Sequence, residues 1–138
     1  MKVEQGILRV EASARELHDI TSEVSDWLGR TGLIEGTINL FCRHTSAGLL
    51  ISENADPAVR RDLLRWLDRV APEGPAYEHD DEGPDDMPAH IKALLTGSAL
   101  TIPFAGGRPL LGRWQAIYLA EHRAHSHPRE VVLTAMGE

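Results

Sequence analysis

The spacing of apolar and polar positions predicts strands at both ends of the chain and three helices between them. Residues 5–11 alternate as a strand does, with side chains pointing to opposite faces. Ser13-Ala-Arg-Glu16 then matches a capping box, in which the hydroxyl and the carboxylate satisfy the first free N–H groups of a helix. Leu17, Ile20, Val24, Trp27 and Leu28 follow at helical spacing, and Gly32 is the expected stop. The string GTINLFC at Gly36–Cys42 is rich in β-branched and apolar residues, and residues 47–52 resume the pattern after His44-Thr45-Ser46. Asp56-Pro57 opens a second helix, with a side-chain oxygen at the cap and a proline where its missing N–H costs nothing. Its apolar stripe is Val59, Leu63, Trp66, Leu67 and Val70. Asp85-Asp86-Met87-Pro88 again reads as a cap, leading into a third helix that ends at Gly97. Strands are then expected over residues 99–104, 110–111, 113–121 and 130–135, with a turn at Gly106-Gly107.

No repeat and no linker divides these elements, so residues 1–138 are expected to form one domain. A chain of this size buries roughly 68–70% of its unfolded surface and needs neither disulfide nor metal to fold. The single cysteine, Cys42, excludes an intrachain disulfide framework and a multi-cysteine zinc knuckle. On a strand it would share a face with His44, two residues on, which leaves both inert packing and a thiolate–base pair open. The first ten residues hold no apolar core of a signal peptide and no stretch is long enough to span a membrane, so a cytoplasmic protein is expected.

Charge changes the picture more than composition does. The chain carries 14 Lys+Arg against 21 Asp+Glu, a net charge of −7. Residues 71–90 hold seven of the carboxylates (Glu73, Glu78, Asp80, Asp81, Glu82, Asp85 and Asp86) and no Lys or Arg, so the rest of the chain balances. The whole imbalance therefore lies in one stretch, where prolines at 72, 75, 84 and 88 argue for a preset path over a solvated loop. Basic residues form no long cluster with interleaved aromatics, and a nucleic-acid partner is not expected.

The chain has seven histidines, and His44, His79, His90, His122 and His125 stand beside turns or carboxylates. Imidazole and carboxylate together make metal sites, the carboxylate either completing the coordination or holding the second ring nitrogen's proton. His79-Asp80 and the Asp85-Asp86-Met-Pro-Ala-His90 cap offer both groups. Spacing alone leaves the alternative open that these are hydrogen-bonded structural histidines. The HExxH helix, the GxSxG elbow, the phosphate-binding P-loop and the GxGxxG turn are all absent, which removes zincin, serine-hydrolase, P-loop and Rossmann signatures.

Five strings together resemble a known family: His44-Thr-Ser-Ala47, Glu53-Asn-Ala-Asp-Pro57, Tyr77-Glu-His79, Glu82-Gly-Pro-Asp-Asp-Met-Pro-Ala-His-Ile-Lys92 and Trp114-Gln-Ala-Ile-Tyr-Leu-Ala-Glu-His-Arg123. They are similar to the YjbQ family, also called the secondary thiamine-phosphate synthase family. The resemblance implies an α+β fold, a seven-stranded β-sandwich of two sheets flanked by helices, assembling as a homotrimer. It implies a transferase joining hydroxymethylpyrimidine pyrophosphate to thiazole phosphate with release of pyrophosphate, as a weak secondary activity. The alternative is a non-catalytic trimer that binds a metal or metabolite. By motif match the metal ligands are His44, His79 and His90, holding Zn²⁺ or Mg²⁺, with Asp85 and Asp86 joining them as catalytic candidates. Ser46, Asn54, Arg113, Gln115, His122 and Arg123 are the candidates for binding a phosphorylated small molecule, and His125 is a weaker site candidate. Arg113 and Ala116 depart from the Thr and Gly usual in the family's string around Trp114.

Overall fold

The computed structural model describes all 138 residues. Eleven elements follow in order: β1 (Lys2–Ala12), β2 (Glu16–Asp19), α1 (Thr21–Thr31), β3 (Gly36–Cys42), β4 (Ala47–Glu53), α2 (Pro57–Val70), α3 (Asp86–Thr96), β5 (Ala99–Ala105), β6 (Arg108–Pro109), β7 (Gln115–Glu121) and β8 (His127–Gly137). Every pairing is antiparallel. One sheet has the order β1-β8-β3-β5-β6 and the other β2-β7-β4. The expected α+β sandwich is thus present, its seven longer strands joined by the two-residue β6.

The main core lies between the sheets, where Ile38, Leu40, Val131, Leu133 and Ala135 meet Leu49, Ile117 and Leu119, with Val24 and Leu28 of α1 against them. A second, smaller cluster forms on the far face of the three-stranded sheet, where Leu17, Ala116, Tyr118 and Ala120 meet Leu63 and Leu64 of α2. Strand β7 is therefore covered on both faces, which explains why Ala116 to Glu121 are all buried. Its alternation decides which side chains face which layer: Ile117, Leu119 and Glu121 point one way, Tyr118 and Ala120 the other.

Two expectations are corrected. The segment after Ser13 does not start a helix; Arg15 turns with a positive φ of 45°, and residues 16–19 pair with β7 as β2. Helix α1 starts at Thr21, whose N–H is held by the Asp19 carboxylate, and it stops as expected at Gly32, with φ of 77°. The other correction concerns α2. Only Leu67 of its apolar stripe is fully buried, while Trp66 and Val70 stay about half exposed because the four-residue β2 gives the helix little sheet to cover.

Helix α3 lies against β4, and the contact is set by Gly48. A Cβ there would lie 2.1 Å from Thr96 Oγ1 and 2.8 Å from the Gly97 carbonyl, so only glycine lets the C-terminal end of α3 approach this closely. The Leu49 N–H then donates to the Gly97 carbonyl at 2.9 Å, and Lys92 ties α3 to Asp68 of α2 at 2.7 Å. No helix is long and apolar enough to cross a membrane.

Candidate metal centre

Asp86 and His90 are four residues apart on α3, so they stand one above the other on a single helix face. The acidic loop before α3 brings a third group, His79, onto the same spot. Oδ2 of Asp86 lies 2.7 Å from Nε2 of His79 and 3.0 Å from Nε2 of His90. The two rings are 5.5 Å apart, tilted at 47°, and the three candidate donor atoms all fall within 4.8 Å of one another. Asp86 is buried, whereas the imidazoles are partly open to solvent, so the group has a closed floor and an accessible mouth. That mouth continues into an open cleft lined by Ala76, Tyr77, Glu78, Asp80, Asp81 and Met87.

The tautomer of His90 follows from its other nitrogen. Nδ1 lies 2.9 Å from the Thr45 carbonyl, and a carbonyl only accepts, so Nδ1 carries a proton and donates it. In a neutral ring this leaves Nε2 with its lone pair directed at Asp86, the arrangement found at metal sites where a backbone carbonyl fixes the ligand's orientation.

The carboxylates are held from behind by Arg123. Its Nε donates to Asp85 Oδ2 at 2.8 Å, its Nη1 lies 2.9 Å from Asp86 Oδ1, and its Nη2 donates to the Glu82 carbonyl at 3.0 Å. Asp85 does not cap α3 with its side chain as expected; it accepts instead from Arg123 and from the Ala124 N–H at 2.8 Å. Burial pushes the Asp85 carboxyl up, but those bonds and the guanidinium charge outweigh it and hold it down at about 2. For Asp86 burial likewise works against ionisation, and the bond to His79 with the charges of His90 and Arg123 leaves the carboxyl below its ordinary range. The His79 imidazole is raised above its ordinary range, chiefly by the bond to Asp86, with nearby Asp81 and Glu82 adding to it. Arg123 is held above its usual value by the same carboxylates.

The remaining expected residues do not converge here. Nε2 of His44 accepts the Glu130 N–H at 2.8 Å, so its lone pair points at β8 and away from the cluster; Asp86 stands where the motif match put His44. Burial and the Arg129 charge hold that imidazole below its ordinary range. Ser46 is buried and accepts from Arg129 at 3.0 Å. His122 is buried beside Thr96, 3.1 Å from its Oγ1, and burial with the Lys92 and Arg129 charges lowers it to about 3. His125 offers its carbonyl to His127 Nδ1 at 2.7 Å. Asn54, Arg113 and Gln115 sit at the opposite end of β7 from Arg123: the Asn54 N–H donates to the Trp114 carbonyl, Arg113 stacks 4.8 Å over the Trp114 ring, and Gln115 Oε1 accepts from the Gly112 N–H. Seven residues of strand separate these ends by about 20 Å. Cys42 is buried, and burial raises its thiol, so the pairing with His44 on a common face does not form a reactive thiolate.

The family model described as "UPF0047 protein YjbQ-like" matches residues 6–138. This chain belongs to that family. The UPF0047 protein YjbQ of Salmonella typhimurium is 44% identical over 135 residues, covering 97% of this chain and 98% of the relative, and the UPF0047 protein YugU of Bacillus subtilis is 39% identical over 83% of this chain and 86% of its own. Among solved structures, an uncharacterised YjbQ/UPF0047 protein from Clostridium acetobutylicum superposes with a TM-score of 0.87 at 38% identity, covering 95% of this chain and 99% of the other. A YbjQ-like protein of unknown function from Sulfolobus solfataricus reaches 0.90 at 23% identity over 99% of each chain, a likeness of fold. These relatives are named without an activity.

In this YjbQ-like chain, sequence reading missed one buried ion pair next to the cluster. Arg129 of β8 and Glu121 of β7 are joined by two parallel bonds of 2.7 and 2.6 Å, and both are sealed from solvent between the sheets. Strand alternation carries the signal: Arg129 shares its face with Val131, Leu133 and Ala135, and Glu121 shares its face with Ile117 and Leu119. A charge on a core-facing position of each of two facing strands points to a pair.

Proposed function

We propose that His79, Asp86 and His90 hold one divalent cation of the zinc class, and that the chain is an enzyme acting on a phosphorylated small molecule. One arrangement supports this above all: two imidazole Nε2 atoms converge on a single carboxylate oxygen, and the other nitrogen of one ring is already committed to a carbonyl. Two nitrogen donors with one carboxylate suit Zn²⁺ and its neighbours better than Mg²⁺, which prefers an all-oxygen set. When bound, the ion would supply positive charge against a phosphate or pyrophosphate group.

The protein's own residues prepare that site. Arg123 engages Oδ1 of Asp86 and leaves Oδ2 to face the two imidazoles. Asp85, already ionised far below neutral pH, anchors Arg123 and the chain at Ala124 and does not shuttle protons. All three Arg123 nitrogens are occupied, and the cleft is lined by Glu78, Asp80 and Asp81, so these groups offer a bare pyrophosphate repulsion. A phosphorylated substrate at this mouth depends on the cation.

The finer reading is the thiamine-phosphate-synthase reaction, in which hydroxymethylpyrimidine pyrophosphate and thiazole phosphate give thiamine phosphate and pyrophosphate. Pyrophosphate release by purified, tag-free protein tests it. Release should stop on chelation and in Asp86→Asn and return with Zn²⁺; release that survives both treatments overturns the reading.

The internal pairing of Asp85 and Arg123 favours a second reading, a metal- or metabolite-binding protein without turnover, since it leaves few free acid–base groups at the mouth. Metal binding with no product from any phosphorylated substrate would support it. In either case a homotrimer is proposed. The outer face of the five-stranded sheet is covered by no helix and exposes Val3, Ile7, Phe41 and Met136, apolar area suited to burial between copies.

A further inference from the structure

The segment His44-Thr45-Ser46, which joins β3 to β4, is gripped on both sides of Thr45 by consecutive residues of β8. On one side the Glu130 N–H donates to His44 Nε2 at 2.8 Å. On the other, Arg129 Nη2 donates to Ser46 Oγ at 3.0 Å and lies 3.4 Å from the Ser46 carbonyl, which also accepts the His122 N–H. Arg129 is itself locked by two bonds to Glu121, and Glu121 Oε2 further accepts the Arg123 N–H at 3.0 Å. Between these two grips stands the Thr45 carbonyl, 2.9 Å from Nδ1 of His90. One connected set of bonds therefore runs from the β7–β8 ion pair to the carbonyl behind His90.

From this we infer that His44 is a positioning residue of the metal centre, which with Arg129 clamps the Thr45 carbonyl so that His90 keeps its proton on Nδ1 and presents Nε2 to the ion. The inference rests on the metal reading proposed above. The hydrogen bond from Glu130 occupies the Nε2 lone pair of His44 and puts the neutral ring's proton on Nδ1, so neither nitrogen is free to bind an ion. Without the clamp the connection from β3 to β4 is free to withdraw the carbonyl, His90 can take the other tautomer, and its Nε2 then carries a proton where the ion needs a lone pair. Losses of about 10- to 100-fold in metal affinity are typical when such supporting groups are removed.

His44→Gln keeps an acceptor at similar reach, and His44→Leu removes it. Co²⁺ titration reads both affinity, by the midpoint, and ligand set, by the visible band positions. The expected result is wild-type band positions in both variants, near-wild-type affinity in His44→Gln and a roughly 10- to 100-fold loss in His44→Leu. Altered bands in both variants would make His44 a ligand, and unchanged affinity in His44→Leu would make the clamp irrelevant; either overturns the inference. If His44→Leu does not fold, His44→Asn, whose acceptor falls short of the Glu130 N–H, replaces it under the same criteria. If the wild type binds no Co²⁺, the metal reading fails separately. The clamp is then judged in the metal-free protein by ¹⁵N shifts of His90, where Nδ1–H in wild type and its loss in His44→Leu supports it, and an unchanged pattern overturns it.

Discussion

Asp86 and His79 meet through a single oxygen although they differ in every other respect: the carboxylate is buried on α3, and the imidazole stands half open on a loop, 2.7 Å away. The two should therefore separate binding from stability. His79→Ala is expected to weaken divalent-ion binding by more than about tenfold while leaving the stability of the metal-free protein nearly unchanged, since exposed pairs contribute little. Asp86→Ala should lose the ion and also cost about 3 kcal/mol, because it strips a charged partner from Arg123 and leaves the buried floor unsatisfied. Urea unfolding of the chelated proteins measures the difference.

The Glu121–Arg129 pair carries a second expectation. Arg129→Met leaves a carboxylate without its cation between two sheets, and should destabilise the fold by about 3–5 kcal/mol. The double variant Glu121→Leu with Arg129→Met should recover most of that stability, because two apolar groups no longer carry uncompensated charge. It should still bind the ion less tightly than wild type, since Ser46 has lost its donor. Denaturation midpoints and metal titration of the two variants separate these effects.

The pH dependence of stability is expected to report His122. Its imidazole is lowered to about 3 in the fold, against an ordinary value of 6.5. Between those values the unfolded chain binds a proton that the folded chain does not, so stability is fully present above pH 6.5 and falls as pH drops toward 3. The slope for one such group approaches 1.4 kcal/mol per pH unit. Relative to wild type, His122→Gln should therefore become progressively more stable as pH is lowered from 7 to 4. A constant difference between the two proteins across that range would contradict the assignment.

The parts of the fold legible in the sequence are those specified locally. Gly32 ends α1, Asp56 caps α2 through the Ala58 N–H, and the Gly36–Cys42 strand follows its β-branched pattern. The stretch around Ser13 misled for a physical reason: a capping box is a local signal, and residues 16–19 gain more by pairing with Tyr118 to Glu121, a hundred positions away, than by starting a helix. Likewise Trp66 has the spacing of a core residue, but whether sheet lies beneath it is decided elsewhere in the chain.

For the candidate centre, the string from Glu82 to Lys92 contributes Asp86 and His90, four residues apart on α3, and the acidic run before it contributes His79. His44 lies outside the cluster because it follows the end of β3, where Cys42 pairs with Val131 and the Arg43 N–H donates to the Glu130 carbonyl, and its ring Nε2 is taken up by the Glu130 N–H. The concentration of charge in residues 71–90 is likewise explained in part by geometry: Asp85 and Asp86 serve Arg123 and the two imidazoles, while Glu78, Asp80 and Asp81 line the open cleft.

Binding of a divalent cation by His79, Asp86 and His90 is read from metal content. Tag-free protein loaded with Zn²⁺ and passed through a desalting column should retain one ion per chain, and Asp86→Asn and His90→Ala should retain almost none. A wild-type protein that keeps no ion, or variants that keep as much as wild type, would contradict the account.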